Sequence, residues 1–390
     1  MKNPKGAWRM CFAAALALFC VVGLTVNAFS VYLPYLQLRC GLSNTQSANY
    51  IMVRSLFAFG ALFFVGAFYR RLELRSGIAA ALTMAALSLL LYARADSFPE
   101  LCLAAVMGGL AYGLGGMYPA SLLIRRWFSC HSGLALGICS AATGLAAIVG
   151  APVVTALAER FSVGTALILE SSLLLVCAGV CAGLVRNRPE GAAQAAPEAA
   201  PAARGPRLTW MFPAVVAVGV LGNTGFQFLT MLYSERGLSA FEVSALVSVV
   251  GGALMGGKFL FGEIVDRWGA CRANWLFFGM AIAGCVLNCL GGSYALAVAA
   301  MVLLGLGLAV CTVGLTVYAG DLSRPEDFAG TLRQYQIAYL LGSLLFGPVP
   351  GLLADWTGSY VPFYILVTAL TVFSMCIIQK NYRNQRKVSS

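Results

Sequence analysis

Long apolar runs alternate with short polar segments along almost the whole chain. Twelve of these runs are long enough for membrane-crossing helices, because the hydrocarbon core of a bilayer needs about 20 apolar residues per helix. One longer polar gap divides the runs into six and six. The predicted spans are 11–36, 47–69, 77–95, 98–124, 132–158, 163–185, 209–233, 241–264, 273–291, 294–319, 329–353 and 360–379. The pattern predicts an all-α integral membrane protein whose twelve transmembrane helices form two pseudo-symmetric six-helix bundles.

The gap between the sixth and seventh spans is rich in alanine, proline and charge, and it has no apolar face. Such a composition is typical of a flexible linker. The predicted domains are an N-terminal bundle at 1–185, a cytoplasmic linker at 186–208, a C-terminal bundle at 209–379 and a basic cytoplasmic tail at 380–390. The halves also repeat one another: Gly66 recurs as Gly262, and Glu159 recurs as Asp355. Two parallel repeats are typical of proteins in which a midplane site opens alternately to each side.

The composition excludes most other classes of protein. Of the 390 residues, 60% are hydrophobic and 11% are charged, and the mean hydropathy is +0.82. Soluble domains carry about 25% charged residues. The thirteen cysteines lie mostly inside apolar runs, and the pairs Cys177/Cys181 and Cys285/Cys289 have no His, Asp or Glu nearby to complete a metal site. We therefore expect buried cysteines, no metal and no cofactor.

The cations predict the orientation. If the N-terminus is cytoplasmic, twenty Lys and Arg residues fall on the inner side and four on the outer side, with Arg54 and Lys258 inside spans. By the positive-inside rule, both termini are then cytoplasmic in a multi-pass protein of the cytoplasmic (plasma) membrane. The net charge of +11 is explained by this insertion signal, so we expect no nucleic acid as a partner. The expected partners are a lipid bilayer and a small-molecule substrate. We also expect a monomer.

The loop after span 8 carries the most specific motif. It runs Gly262-Glu-Ile-Val-Asp266-Arg267-Trp-Gly269-Ala-Cys-Arg272 and resembles the cytoplasmic loop motif G-x-x-x-D-R-x-G of the major facilitator superfamily. We infer that Asp266 binds the start of span 5, near 129–132, and holds one state closed. The alternative is an ordinary solvated turn.

The equivalent loop of the first half departs from this motif. It keeps Gly66 and Arg71 but has Arg70 where the acid belongs and Glu73 where glycine belongs. We therefore expect this loop to retain only its inward-anchoring charge.

Three further segments resemble the bacterial monocarboxylate porter and oxalate:formate antiporter branch of the superfamily. They are 27–56, the entry to span 5 at 126–137, and the corner between spans 11 and 12 at 347–360. The resemblance implies the major facilitator fold and a secondary transporter of organic anions.

Among the ionisable residues inside the predicted spans, three stand out as candidates, because a charge costs at least about 2.5–3.5 kcal/mol near the bilayer centre. Lys258 occupies the region of span 8 where the resembled families place an arginine that pairs with a substrate carboxylate; the alternative is a lysine that extends to the cytoplasmic surface. Arg54 either attracts an anion or has a structural role as a brace, donating hydrogen bonds to carbonyls of neighbouring helices or to Tyr32 and Tyr35. Glu170 is a candidate for proton coupling, in a span that usually lies at the periphery of this fold.

Polar and aromatic residues on spans 1, 4, 7 and 10 complete the predicted substrate site. They either bind a small polar solute or form hydrogen bonds between helices. These residues are Asn27, Tyr32, Tyr112, Tyr118, Asn223, Gln227 and Thr316.

The function predicted from these observations is secondary active transport of a small organic anion, a carboxylate, by alternating access. Coupling would be to protons or to a counter-anion. Two alternatives stay open: a multidrug or neutral-metabolite exporter of the same superfamily, and a solute sensor that does not transport. We expect no enzyme, because the single histidine, His131, lies at a helix start and no Ser/His set, intramembrane Asp pair or nucleotide-binding loop is found.

Overall fold

The computed structural model describes residues 6–128, 132–187, 211–323 and 328–389. Within this part of the chain, eleven helices are long and apolar enough to cross a membrane, and a pair bent by 50° makes a twelfth. The helices are α1 (Ala7–Cys40), α2 (Asn44–Arg71), α3 (Leu74–Arg94), α4 (Phe98–Trp127), α5 (Ala135–Arg160), α6 (Val163–Leu184), α7 (Met211–Gly225 with Leu229–Glu235), α8 (Ala240–Trp268), α9 (Ala270–Leu290), α10 (Tyr294–Leu322), α11 (Gly330–Thr357) and α12 (Val361–Asn384). The predicted all-α membrane fold with two six-helix bundles is confirmed. Most of the predicted linker lies outside the described residues, so the domain boundaries stay a prediction.

Both bundles begin their second helix in the same way. A glycine with positive φ ends the preceding segment, at Gly41 (φ 60°) and at Gly237 (φ 79°). Capping boxes then start α2 at Ser43 and α8 at Ser239, where the serine hydroxyl accepts from the third helical N–H. The repeat detected in the sequence is therefore also present in the local structure.

The first helix of each bundle is irregular near its middle. In α1 a π-helical stretch, Phe19–Asn27, leads into a 3-10 turn, Ala28–Val31. In α7 a π-helical stretch, Val220–Gly225, precedes the bend. Such stretches free backbone carbonyls from the regular ladder and are frequent at functional sites. Here the Gly225 carbonyl accepts from the Tyr364 hydroxyl at 2.7 Å, and the Thr25 carbonyl accepts from an arginine described below.

Because the spans alternate in direction, both chain ends lie on one face, which we call the termini side; the opposite face is the far side. The two bundles meet along α5 with α8 and α2 with α11. Glycines permit the closest approaches: a Cβ at Gly144 would lie 3.0 Å from the Gly251 carbonyl oxygen, and one at Gly351 would overlap the carbonyl oxygen of Asn44. Small residues at such crossings let two backbones approach closely.

The contacts between bundles run from the far side to just past the middle of the membrane. Toward the termini side, the last turns of α4 (Met117–Trp127) and of α10 (Val313–Leu322) pack within their own bundles. Gly137 and Gly262, near the termini-side ends of α5 and α8, have no described atom within 4 Å of a Cβ position. Among the described residues, the bundles are therefore closed on the far side and apart on the termini side.

Candidate functional site

Arg54 joins the two bundles at the centre of the closed half. It lies on α2 and is 4% exposed. Its Nη1 donates to the Thr25 carbonyl of α1 at 3.2 Å, and its Nη2 donates to Gln227 Oε1 of α7 at 2.6 Å. The guanidinium also lies over the Phe29 ring, 5.4 Å from its centroid. Arg54 thus binds a helix carbonyl, as the structural alternative expected, but its side-chain partner is Gln227 rather than Tyr32 or Tyr35.

Lys258 joins the bundles at a second point, between α8 and α5. Its Nζ donates to the Ser140 carbonyl and hydroxyl, each at 3.0 Å, and to Thr143 Oγ1 at 3.4 Å. Asn27 of α1 donates to the Thr143 carbonyl at 3.1 Å. Lys258 is 9% exposed and its ammonium group faces the other bundle, so it reaches neither lipid nor the surface.

Both buried cations lack an acidic partner among the described residues. Each is surrounded by neutral oxygen atoms instead. Neutral dipoles compensate a buried charge less well than an anion does, and a charged group is retained in a membrane for a partner, a cavity or a substrate. The described part of the site therefore has a net positive charge between the two bundles.

Glu170 and Tyr32 form a separate buried pair inside the N-terminal bundle. The Tyr32 hydroxyl donates to Glu170 Oε2 at 2.9 Å, while Oε1 has no described partner. Tyr32 is therefore turned toward α6 rather than toward the site between the bundles. The carboxyl group contacts α1, the helix that also carries Thr25 and Asn27.

The remaining predicted site residues fall into two groups. Gln227 donates to Asn223 Oδ1, so these two do share one face of α7, and both are buried at the bundle interface. Tyr112 is half-buried and lies one turn after Gly108, where an added Cβ would be 3.7 Å from Arg54 Cδ. Tyr118 and Thr316 are exposed in the termini-side half of α4 and α10. The structure therefore brings Gln227, Asn223 and Tyr112 near Arg54 and leaves the other two toward the open side.

A cluster at the far side was not predicted from the sequence. Asp355, at the end of α11, accepts from the backbone N–H groups of Asn44 and Thr45 at 3.0 and 2.8 Å. These N–H groups begin α2, where the helix dipole favours an anion. We call this contact between the bundles, with Tyr360, the far-side clasp. The repeat of Glu159 and Asp355 marked the position in the sequence, but Glu159 binds Tyr35 within its own bundle.

Tyr360 completes the far-side clasp from the loop before α12. Its hydroxyl donates to Asn44 Oδ1 at 2.9 Å, and its backbone N–H donates to Glu235 at 2.8 Å. Burial raises the pKa of Tyr360 above its usual range, so the hydroxyl remains a donor at every physiological pH.

Asp355→Asn is expected to shift the protein toward a state that is open on the far side. The substitution removes the anion at the start of α2, which is worth about 1–2 kcal/mol and hence changes the ratio of the two states about tenfold. Distances between spin labels at the exposed residues Leu38 and Trp356, introduced through an unnatural amino acid because of the native cysteines, would measure the shift.

Glu159→Gln is the matched control for this substitution, because its carboxylate binds within one bundle. An Asp355→Asn distance distribution equal to that of the control would contradict a role of the far-side clasp.

The loop motif after α8 is only partly described by the structure. Asp266 is exposed and has no hydrogen bond to a described residue, and its predicted partners at 129–131 lie outside the described part. Arg267 pairs with Glu263 at 2.5 Å, Gly269 ends the helix with φ 82°, and Arg272 is exposed. Binding of Asp266 to the start of α5 stays a prediction.

A model of the Major Facilitator Superfamily matches residues 14–332 of the chain. The protein called "Uncharacterized MFS-type transporter YhhS" from Salmonella typhimurium is 27% identical over 166 residues, which are 41% of this chain and 39% of that protein. The version from Salmonella typhi gives the same values. The match thus spans about two fifths of the length of these curated relatives.

Solved structures of two transporters resemble the whole chain. A mutant of the nucleoside transporter NupG superposes with a TM-score of 0.77 at 13% identity, covering 96% of this chain and 99% of that one. An inward-facing, unoccupied bacterial homologue of the human lysosomal transporter Spinster gives 0.67 at 14% identity, covering 97% and 96%. At these identities the likeness shows the fold alone.

Proposed function

Because the chain belongs to the major facilitator superfamily, whose members are transporters, we propose that it moves a small organic anion, a carboxylate, by alternating access. The observation that carries the proposal is the pair of buried cations, Arg54 and Lys258, between the bundles. Neither has an acidic partner among the described residues. An anion with oxygen acceptors is the ligand that such groups bind most strongly.

We further propose that the termini side faces the cytoplasm of a plasma membrane, from the excess of Lys and Arg predicted there. The described conformation then corresponds to an inward-open state. The motion that exchanges access would separate α2 from α11 on the far side and bring α5 and α8 together on the termini side.

Glu170 supports coupling to protons as part of this proposal. A buried carboxyl with one oxygen lacking a described partner and no described cation nearby is costly in its charged form. Proton exchange there would change the bond to Tyr32 and thereby act on α1, next to both cations. Exchange against a counter-anion is the other form of coupling that the two cations support.

A neutral solute is a second candidate, and a specific observation favours it. Lys258 donates hydrogen bonds to Ser140 and Thr143 of the other bundle and needs no substrate to do so. A lysine with a purely structural role would make the same bonds. A neutral polar molecule could then bind Asn223 and Gln227 alone.

Counterflow in proteoliposomes separates the two candidates. Labelled formate, acetate, lactate, oxalate and malonate would be offered beside a labelled nucleoside as the neutral probe. Uptake of an acid supports the proposal, whereas uptake of the neutral probe alone contradicts it. Stabilisation by an acid without any flux would instead indicate a sensor.

Lys258→Ala is expected to abolish the thermal stabilisation that a transported acid gives the purified protein. Loss of the ammonium group removes a charge-assisted bond of about 1.5–3 kcal/mol, which lowers affinity at least tenfold. Differential scanning fluorimetry with the acid found in counterflow measures the effect. Lys380→Ala, at an exposed lysine near the end of α12, is the control, and equal shifts in the two variants would remove Lys258 from the site.

A further inference from the structure

Arg54 lies in an unusual group of buried hydroxyls. Tyr50, four residues earlier on α2, occupies the same helix face and is fully buried. Tyr92 of α3 packs beside it, with ring centroids 6.1 Å apart, and packs against Phe29 at 4.8 Å. The guanidinium lies over the same Phe29 ring, and a Cβ at Gly108 would meet both Arg54 Cδ and Ser88 Oγ, one turn before Tyr92 on α3. Arg54, Tyr50 and Tyr92 thus lie close together in the N-terminal bundle.

The two phenol hydroxyls have no hydrogen-bond partner among the described residues. Both oxygen atoms are buried, and neither finds a described donor or acceptor. A buried hydroxyl without a partner costs about 1–3 kcal/mol, so two of them beside a cation with no described acidic partner are expensive for a purely structural cluster. Two free O–H donors and a guanidinium provide the chemistry that binds an oxyanion.

Gln227 comes to this group from the other bundle. Its amide oxygen accepts from Arg54 Nη2 at 2.6 Å, and its amide nitrogen donates to Asn223, which fixes the orientation of the oxygen. Opening of the far side moves α7 away from α2 together with its bundle, and the bond to Arg54 must then break. The Gln227 oxygen therefore holds the guanidinium only in the state closed on the far side.

We propose that Arg54, Tyr50 and Tyr92 form the oxyanion site that is reached from the far side, and that Gln227 Oε1 takes the place of the anion on Arg54 when that side closes. The inference rests on the proposed anion transport and specifies its site. In the far-side-open state, the anion binds a hydrated guanidinium and the two hydroxyls. On closure, the neutral amide competes for Arg54 and displaces the anion toward the termini side.

Tyr50→Phe and Tyr92→Phe test the binding half of the proposal. Each removes a hydroxyl that has no described partner, so the thermal stability of the ligand-free protein stays equal or rises. The KM for the acid from the far side rises about three- to tenfold, because a hydrogen bond to a charged ligand is lost. Tyr318→Phe is the contrasting control: its hydroxyl donates to Asn274 at 2.7 Å, so stability falls and KM stays unchanged.

Gln227→Leu tests the release half. The KM for the acid on the termini side is expected to fall about tenfold and turnover to fall with it, because the competing acceptor is gone. Gln227→Glu places a carboxylate on Arg54 and is expected to raise the melting temperature while it abolishes flux. Gln336→Glu, at an exposed position of α11, is the control for the added charge.

Initial rates in right-side-out and inside-out membrane vesicles give the KM for each side. An unchanged KM in either tyrosine variant, or in Gln227→Leu on the termini side, overturns the assignment. Failure of the wild-type protein to move any acid is a different result, because it removes the proposed function itself.

Discussion

Arg54→Gln is expected to reduce anion flux at least a hundredfold and leave the protein folded. Two charge-assisted hydrogen bonds to the substrate are lost, each worth about 1.5–3 kcal/mol. Folding should not suffer, because glutamine keeps one acceptor and one donor near Thr25 and Gln227 and removes a buried charge that has no described acidic partner. Counterflow in proteoliposomes, with a thermal melt of the same preparation, measures both effects.

Arg54→Lys and Arg333→Gln are the controls for this experiment. Lysine keeps the charge but loses the planar fork of donors, so a residual flux between those of the wild type and Arg54→Gln is expected. Arg333 is exposed on α11, and its replacement should leave flux unchanged. If Arg54→Gln transports with the wild-type KM, Arg54 is a structural brace and the neutral-solute candidate becomes the better explanation.

Gly351→Ala is expected to prevent closure of the far side. An added Cβ would overlap the Asn44 carbonyl oxygen and lie 2.7 Å from Ala48 Cβ, both on α2 of the other bundle. Backbone atoms cannot yield to such an overlap, so the bundles must stay apart and the far-side clasp at Asp355 is broken. Flux should fall more than tenfold by the resulting loss of the closed state, and the distance between labels at Leu38 and Trp356 should lengthen.

Gly179→Ala is the matched control, because a Cβ on that exposed glycine of α6 meets nothing within 4 Å. It should retain flux and gain slightly in stability through higher helix propensity. The Gly351 clash lies between the bundles rather than inside one, so a folded but inactive protein is the expected result. Wild-type flux and an unchanged label distance in Gly351→Ala would show that α2 and α11 tolerate a wider spacing.

The positions of the twelve helices followed from the sequence because insertion of each helix into the membrane depends only on its own residues. About 20 apolar side chains and internally bonded backbone groups suffice to place a helix in lipid. The predicted spans therefore agree closely with α1 to α12. The irregular stretches of α1 and α7 were not predicted, since neither 19–27 nor 220–225 contains a charged residue or a proline that would interrupt its span.

The partners of the buried polar residues show most clearly what the sequence could not predict. The sequence identified Arg54, Lys258 and Glu170 as costly in a membrane, because charge and position along a span are local properties. It offered no means to pair Arg54 with Gln227 or Lys258 with Ser140, which lie on different bundles. Asn223 and Gln227 were the exception, because a spacing of four residues on one helix already predicts a shared face.

The sequence by itself determined that this protein lies in a membrane, that it has two repeated halves, and which ionisable side chains are buried, because hydrophobic length and charge are read along one dimension. Only the tertiary structure decided which half each buried cation contacts, that the far side is closed by Asp355 on the first turn of α2, and that Tyr50 packs against Tyr92 close to Arg54. These contacts depend on how two helix bundles approach each other across the membrane. That approach is set by close packing at glycines such as Gly144 and Gly351, and helix-to-helix packing has no counterpart in the linear pattern of apolar residues.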